Sequence, residues 1–168
     1  MTLEWVILGA VWVLSLAILV FLVPKDRVRI AHTAFLFKQM ITWFFGLIVV
    51  ELGMLEYPVR ELASVNRTSL TYEFLAYPTI CAVFNARYPT GRGLLFQLCY
   101  FGIYCTAMTV TEVLIEKNTR LIAYLHWSWY WTWCTLFLTF LGSRLFCVWF
   151  LKKRREPAKL QENCGENG

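Results

Sequence analysis

Apolar residues run through this chain in blocks too long for the core of a water-soluble domain. A helix needs about 20 predominantly apolar residues to cross the hydrocarbon layer of a bilayer. The block from Trp5 to Val23 meets that length and stops at Pro24. A second, residues 34–55, ends before Tyr57-Pro58, and a third, residues 70–84, is short and carries Pro78. Residues 94–115 form a fourth block, and residues 127–151 a fifth that is long enough to tilt. Lipid offers the backbone no hydrogen-bonding partner, so each block is predicted to be helical. Barrel strands would alternate apolar and polar positions over about 10 residues, and these blocks do not. The pattern predicts an all-α, polytopic transmembrane helical bundle of about five spans, residues 1–151, and a cytoplasmic tail, residues 152–168. The tail is basic and then polar without apolar periodicity, and is expected to be disordered. The first block carries Glu4 where a secretory signal has a positive region, so it reads as a span rather than a cleaved leader.

Composition agrees. Charged residues make up 16% of the chain and hydrophobic ones 58%, whereas soluble domains carry about 25% charged residues. The net charge of +5 comes from clusters between blocks and at the C-terminus. With no basic helix stripe and no nucleic-acid motif, the expected partner is the anionic inner leaflet rather than nucleic acid. Five of the six cysteines lie inside apolar blocks, and Cys164 in the tail. None forms a CxxC pair, so they read as small apolar filler rather than a disulfide or zinc framework.

Lysine and arginine set the orientation. Residues 24–38 and 85–93 and the tail hold eleven basic residues, and the opposite connections hold four, Arg60, Arg67, Lys117 and Arg120. The N-terminus is therefore expected outside and the C-terminus inside. Lys152, Lys153, Arg154 and Arg155, next to the last block, read as a topology and lipid anchor. The run His126-Trp-Ser-Trp-Tyr-Trp-Thr-Trp133 opens the fifth block. An interfacial anchor is the plain reading of that run, and an aromatic cage for a cation or sugar the sharper one.

Ionisable groups inside apolar blocks carry the chemical information, because each needs a partner or a wet cavity. Helical rise puts Glu51 roughly 9 Å, Glu112 roughly 6 Å and Glu73 roughly 4–5 Å inside the outer boundary. His126 sits at that boundary, Glu56 and Glu116 just above the cluster, and Arg144 toward the inner side. Carboxylates clustered in a low dielectric cannot all ionise. Three readings stay open: glutamates bonded across helices to fix packing, an outward-facing proton or cation site, or Glu51, Glu73, Glu112 and His126 around a divalent ion. No ExxH or HExxH spacing puts two ligands on one helical face, so no metal or other cofactor is predicted. Arg144 is expected to reach toward the inner surface or toward carbonyl groups. There is no GxSxG, and no cysteine has a basic neighbour in sequence.

Four stretches carry a resemblance: Phe37-Lys-Gln-Met-Ile-Thr-Trp-Phe-Phe-Gly46, Val50-Glu-Leu-Gly-Met-Leu-Glu-Tyr-Pro-Val-Arg60, Tyr72-Glu-Phe-Leu-Ala-Tyr-Pro78 and His126-Trp-Ser-Trp-Tyr-Trp-Thr-Trp133. Together they look like a family of small multi-pass membrane proteins of spore-forming Gram-positive bacteria that has no assigned function. The resemblance covers roughly residues 24 to 150. It implies a bacterial cell membrane or a spore membrane, and leaves the glycosylation triplet Asn66-Arg67-Thr68 without a pathway to use it. It supplies no activity or ligand. The first expectation is thus a non-enzymatic bundle acting through its own oligomer or other membrane proteins. The alternatives are a small proton- or cation-linked transporter using the outer glutamates and, third, a membrane-embedded metal-dependent enzyme.

Overall fold

The computed structural model describes the backbone of residues 3–165 and the side chains of residues 3–152. Helix α1 (Leu3–Leu22) ends where Pro24 turns the chain into extended backbone. One tight turn, Lys25–Arg27, leads straight into α2 (Val28–Glu51). Gly53 then takes a left-handed φ of +66°. That conformation lets its N–H reach the Val50 carbonyl and the Met54 N–H the Val49 carbonyl, the paired bonds that close a helix at a glycine. The strand β1 (Leu55–Glu56) pairs antiparallel with β2 (Ala123–Tyr124), which follows α4 (Leu94–Asn118). Helix α5 (Trp129–Gly165) closes the fold.

The segment from Leu70 to Ala86 is built differently. It opens as a π-helix, Leu70–Ala76, and continues as α3 (Tyr77–Ala86). Pro78 lies in the first turn of α3 and has no N–H to return to the Phe74 carbonyl four residues back. The Tyr77 N–H reaches back to the Tyr72 carbonyl, the wide π pattern. The freed carbonyls are taken up by α2: Gln39 Nε2 donates to the Phe74 oxygen at 2.9 Å, and Thr42 Oγ1 to the Glu73 oxygen at 2.7 Å. A break that lipid could not satisfy is thus satisfied by a neighbouring helix. At the far end, Arg27 Nη1 donates to the Ala86 oxygen at 3.0 Å and Arg87 Nε to the Leu22 oxygen at 2.8 Å. Those two bonds tie the end of α3 to the α1–α2 turn.

Helix α3 packs most extensively on α2 and also meets α1 and α5. Small residues permit the close approach: Ala31 and Ala34 on α2, Ala82 and Ala86 on α3. Phe84 of α3 is wholly buried at the centre of a ring cluster, with centroids 4.7 Å from Phe140, 4.8 Å from Phe101, 5.1 Å from Tyr100 and 5.3 Å from Tyr104. The outer surface is apolar, with Val13, Phe21, Leu95 and Leu138 well exposed, while Lys38, Asn85, Thr79 and Ser143 are buried. That inside-out distribution is what a lipid solvent selects.

Among the described residues four helical stretches are long and apolar enough to cross a membrane: Leu3–Leu22, Lys25–Glu51, Leu94–Asn118 and Trp129–Lys152. The 70–86 segment is not among them; it is sheathed by them. The second block starts earlier than its apolar run implies, at Val28 rather than residue 34, and stops at Glu51 rather than residue 55. Charged Arg29 and Lys38 simply continue the helix. The backbone of α5 continues through the tail to Gly165, where disorder was expected; the roles assigned to Lys153, Arg154 and Arg155 fall outside the described side chains, and Lys152 is exposed.

Phe84→Ala should cost about 3–5 kcal/mol of stability, because no neighbour can refill the centre of the ring cluster. Unfolding in mixed micelles titrated with a denaturing detergent reads this directly, and a loss under about 1 kcal/mol would contradict the packing described.

Candidate functional site

Beneath the β1–β2 ribbon lies a cavity of about 110 Å³. Leu55, Tyr57 and Trp127 come to it from the ribbon side, and residues of α2, the 70–86 segment, α4 and α5 form its walls. One amine and two carboxyl side chains line it, Lys38, Glu73 and Glu112, together with the phenols of Tyr57 and Tyr77.

Glu112 is the most completely held. Its Oε2 accepts from the Tyr77 hydroxyl at 2.5 Å. Its Oε1 accepts from the Tyr124 hydroxyl at 2.7 Å and from Thr132 Oγ1 at 2.8 Å. Thr132 Oγ1 in turn accepts from Trp127 Nε1 at 2.8 Å. The carboxylate therefore ties together α3, α4, the ribbon and the start of α5. Burial, reinforced by the nearby Glu112 carboxylate, pushes the Tyr124 phenol up, so it remains a donor.

Glu73 is less satisfied. It is buried, and its Oε1 accepts from the Tyr57 hydroxyl at 2.7 Å. Burial first and Glu73 second push the Tyr57 phenol well above its ordinary value, which keeps that donor protonated. The carboxyl group fits because residue 46 on α2 is glycine. A Cβ there would meet Glu73 Cδ at 3.0 Å and Oε1 at 3.1 Å.

Lys38 is 1% exposed. Its ammonium donates to Thr139 Oγ1 and lies 4.9 Å from the centre of the Phe140 ring. Among the described residues the ion pairs within 4.0 Å are Arg27–Asp26 and Arg67–Glu51. Lys38 and Glu73 thus face one cavity without closing on each other.

The residues singled out by depth separate. Glu73 and Glu112 share the cavity. Glu51 sits at the end of α2, exposed, and pairs with Arg67 at 3.0 Å. His126 is exposed, with Nδ1 3.3 Å from the Gly53 oxygen, and does not line the cavity. Glu56 is exposed on β1 and Glu116 is half-buried on α4; neither lines the cavity. Arg144 lies over the Tyr88 ring, 4.2 Å from its centroid. Among the described residues no three His, Cys, Asp or Glu side chains converge as a metal site. Within the tryptophan run, Trp127 lines the cavity and Trp133 donates to Thr106 at 3.2 Å, whereas Trp129 and Trp131 are exposed.

Lys38 was counted among the loop cations from sequence, and the structure moves it into the bundle. Its signal was available: it stands in Phe35-Leu-Phe-Lys-Gln-Met-Ile41, with apolar residues on both sides. Glu61 also went unremarked; it accepts from the Thr71 hydroxyl, which accepts from Trp12 Nε1 at 2.8 Å. The chain matches no protein-family model, no curated protein and no solved structure.

Replacing Glu112 with leucine strands the Tyr77, Tyr124 and Thr132 hydroxyls. At about 1–3 kcal/mol for each orphaned donor, the loss should reach about 3 kcal/mol or more. Glu51→Leu should change stability by under about 1 kcal/mol, as expected for an exposed pair. The same detergent titration compares them, and equal losses would remove the distinction between the two carboxylates.

Proposed function

We propose that the protein is a proton-linked transporter of a small polar solute, with Lys38 and Glu73 as the pair that binds and Glu73 as the group that exchanges a proton. One observation carries this reading: a buried cation and a buried carboxylate line the same cavity and leave each other unpaired. An intramembrane charge without a close counter-charge is costly to keep, and polar groups of this kind mark substrate and ion paths. The cavity also has hydroxyl walls, from Thr42, Thr135 and Thr139, that suit a polar guest.

On the same reading the chain traverses the bilayer five times in a cell or spore membrane. The 70–86 segment counts as the third pass, because its bonds reach from the cavity to the α1–α2 turn. With Lys38 removed from the loops, ten basic residues stand against four, and the N-terminus remains outside. Lys152 and the basic residues after it then face the anionic inner leaflet.

A purely structural bundle, working through its own oligomer or other membrane proteins, is the second reading. Glu112 favours it, since a carboxylate with three hydroxyl donors has little capacity left for a ligand.

Vesicles holding the purified protein and a trapped pH-sensitive dye separate the two. After a pH step in a medium of mixed amino acids, sugars and inorganic ions, the wild type should pass protons. Glu73→Gln should abolish that flux, and Glu51→Gln should leave it unchanged. Flux through Glu73→Gln equal to wild type would overturn the transport reading in favour of packing. Separately, a C-terminal tag should become accessible to antibody only after the cells are permeabilised. Labelling of intact cells would reverse the orientation.

A further inference from the structure

We infer that the cavity takes a small zwitterion, a solute with one ammonium and one carboxylate group of the α-amino acid kind. The inference rests on the cavity being a ligand site and deepens that reading by naming the ligand's chemistry.

The argument is one of sign. Glu112 also lines the cavity, but its charge is already met by the Tyr77, Tyr124 and Thr132 hydroxyls, so Lys38 and Glu73 set what a guest encounters. A lone cation would be drawn to Glu73 but repelled by Lys38, and a lone anion would meet the reverse. Each would leave one buried protein charge uncompensated, which costs heavily away from water. A neutral polar molecule would compensate neither. A zwitterion set with its carboxylate toward Lys38 and its ammonium toward Glu73 compensates both and adds no net charge to the bundle. Discrimination then comes from penalties against wrong ligands as much as from attraction to the right one.

The surroundings fit. Lys38 is held by Thr139 and the Phe140 ring rather than by a counter-ion, so its remaining donors are free for a carboxylate. Glu73 receives one phenolic hydrogen bond on Oε1, so acceptor capacity remains for an ammonium. A volume of about 110 Å³ holds several water molecules or a solute of similar bulk, which restricts the guest to small members of the class. The carboxyl of Glu73 lies in space left by the missing side chain of Gly46, which also lines the cavity.

The test uses the full-length protein in lipid nanodiscs and isothermal titration. Glycine, L-alanine and L-serine serve as zwitterions; acetate and methylammonium carry one charge each. Wild-type protein should bind a small zwitterion at least about tenfold more tightly than either single-charge compound. Lys38→Met should remove that preference and favour methylammonium; Glu73→Gln should remove it and favour acetate. Equal wild-type binding of glycine and methylammonium, or of glycine and acetate, overturns the inference, as does failure of all three zwitterions to bind at millimolar concentration. The wild-type comparison decides the matter even where a variant folds poorly. The vesicle assay keeps the two proposals apart. Flux that needs Glu73 but runs equally well on sugars or ions removes the zwitterion and leaves transport standing. Zwitterion binding without Glu73-dependent flux removes transport and leaves the site.

Discussion

A carboxylate in a hydrocarbon medium must be solvated by the protein itself, and the bonds around Glu112 meet that requirement. Tyr77, Tyr124 and Thr132 come from three different parts of the chain, and each is brought to the same two oxygens. Satisfying them fixes where α3, the ribbon and the head of α5 stand relative to α4. Trp127 is drawn in behind Thr132 and becomes part of the cavity wall. The same requirement acts at the π turn. Pro78 opens the backbone there, and α2 must supply Gln39 and Thr42 to close it. The bundle is held in register by polar groups that have nowhere else to go, with apolar packing around Phe84 filling the opposite end.

Glu73 and Glu112 look alike as sequence, two glutamates in apolar segments, yet their surroundings separate them. Saturation makes one a fastener. The other keeps capacity in reserve, beside an ammonium that is likewise only partly satisfied. Saturated bonding and spare bonding capacity thereby fall to different residues of one cavity, and a change at the second need not dismantle what the first holds. Any role built on Lys38 and Glu73 requires that Glu112 be left undisturbed.

Much of the helical architecture was legible because apolar length is a strong signal: α1, α4 and the start of α5 fall close to where the blocks place them. Position within a helix was less legible. The apolar run of the second block begins near Ala34, whereas α2 begins at Val28, since nothing after the Pro24 turn breaks a helix. Lys38 was grouped with the loop cations although it falls inside that block; it lies well within α2 and is buried. At the other end, Gly53 stops α2 near Glu51, so a glutamate expected at depth emerges beside Arg67. Depth arithmetic counts residues from a boundary, and here the boundary was set by a glycine rather than by the end of the apolar run. Facing direction was not legible at all. Glu73 and Glu112 converge because of Pro78 and a ring of hydroxyls contributed from distant parts of the chain, and spacing along one helix does not reveal such partners.

Gly46 shapes the site by what it lacks. The Glu73 carboxyl occupies the room where a methyl group would otherwise sit. Glycine and alanine codons differ at a single base, so one nucleotide change would crowd that acid toward its neighbours. The room beside the Glu73 carboxyl is therefore among the easiest features for evolution to retune, because one base change alters it while every helix keeps its place.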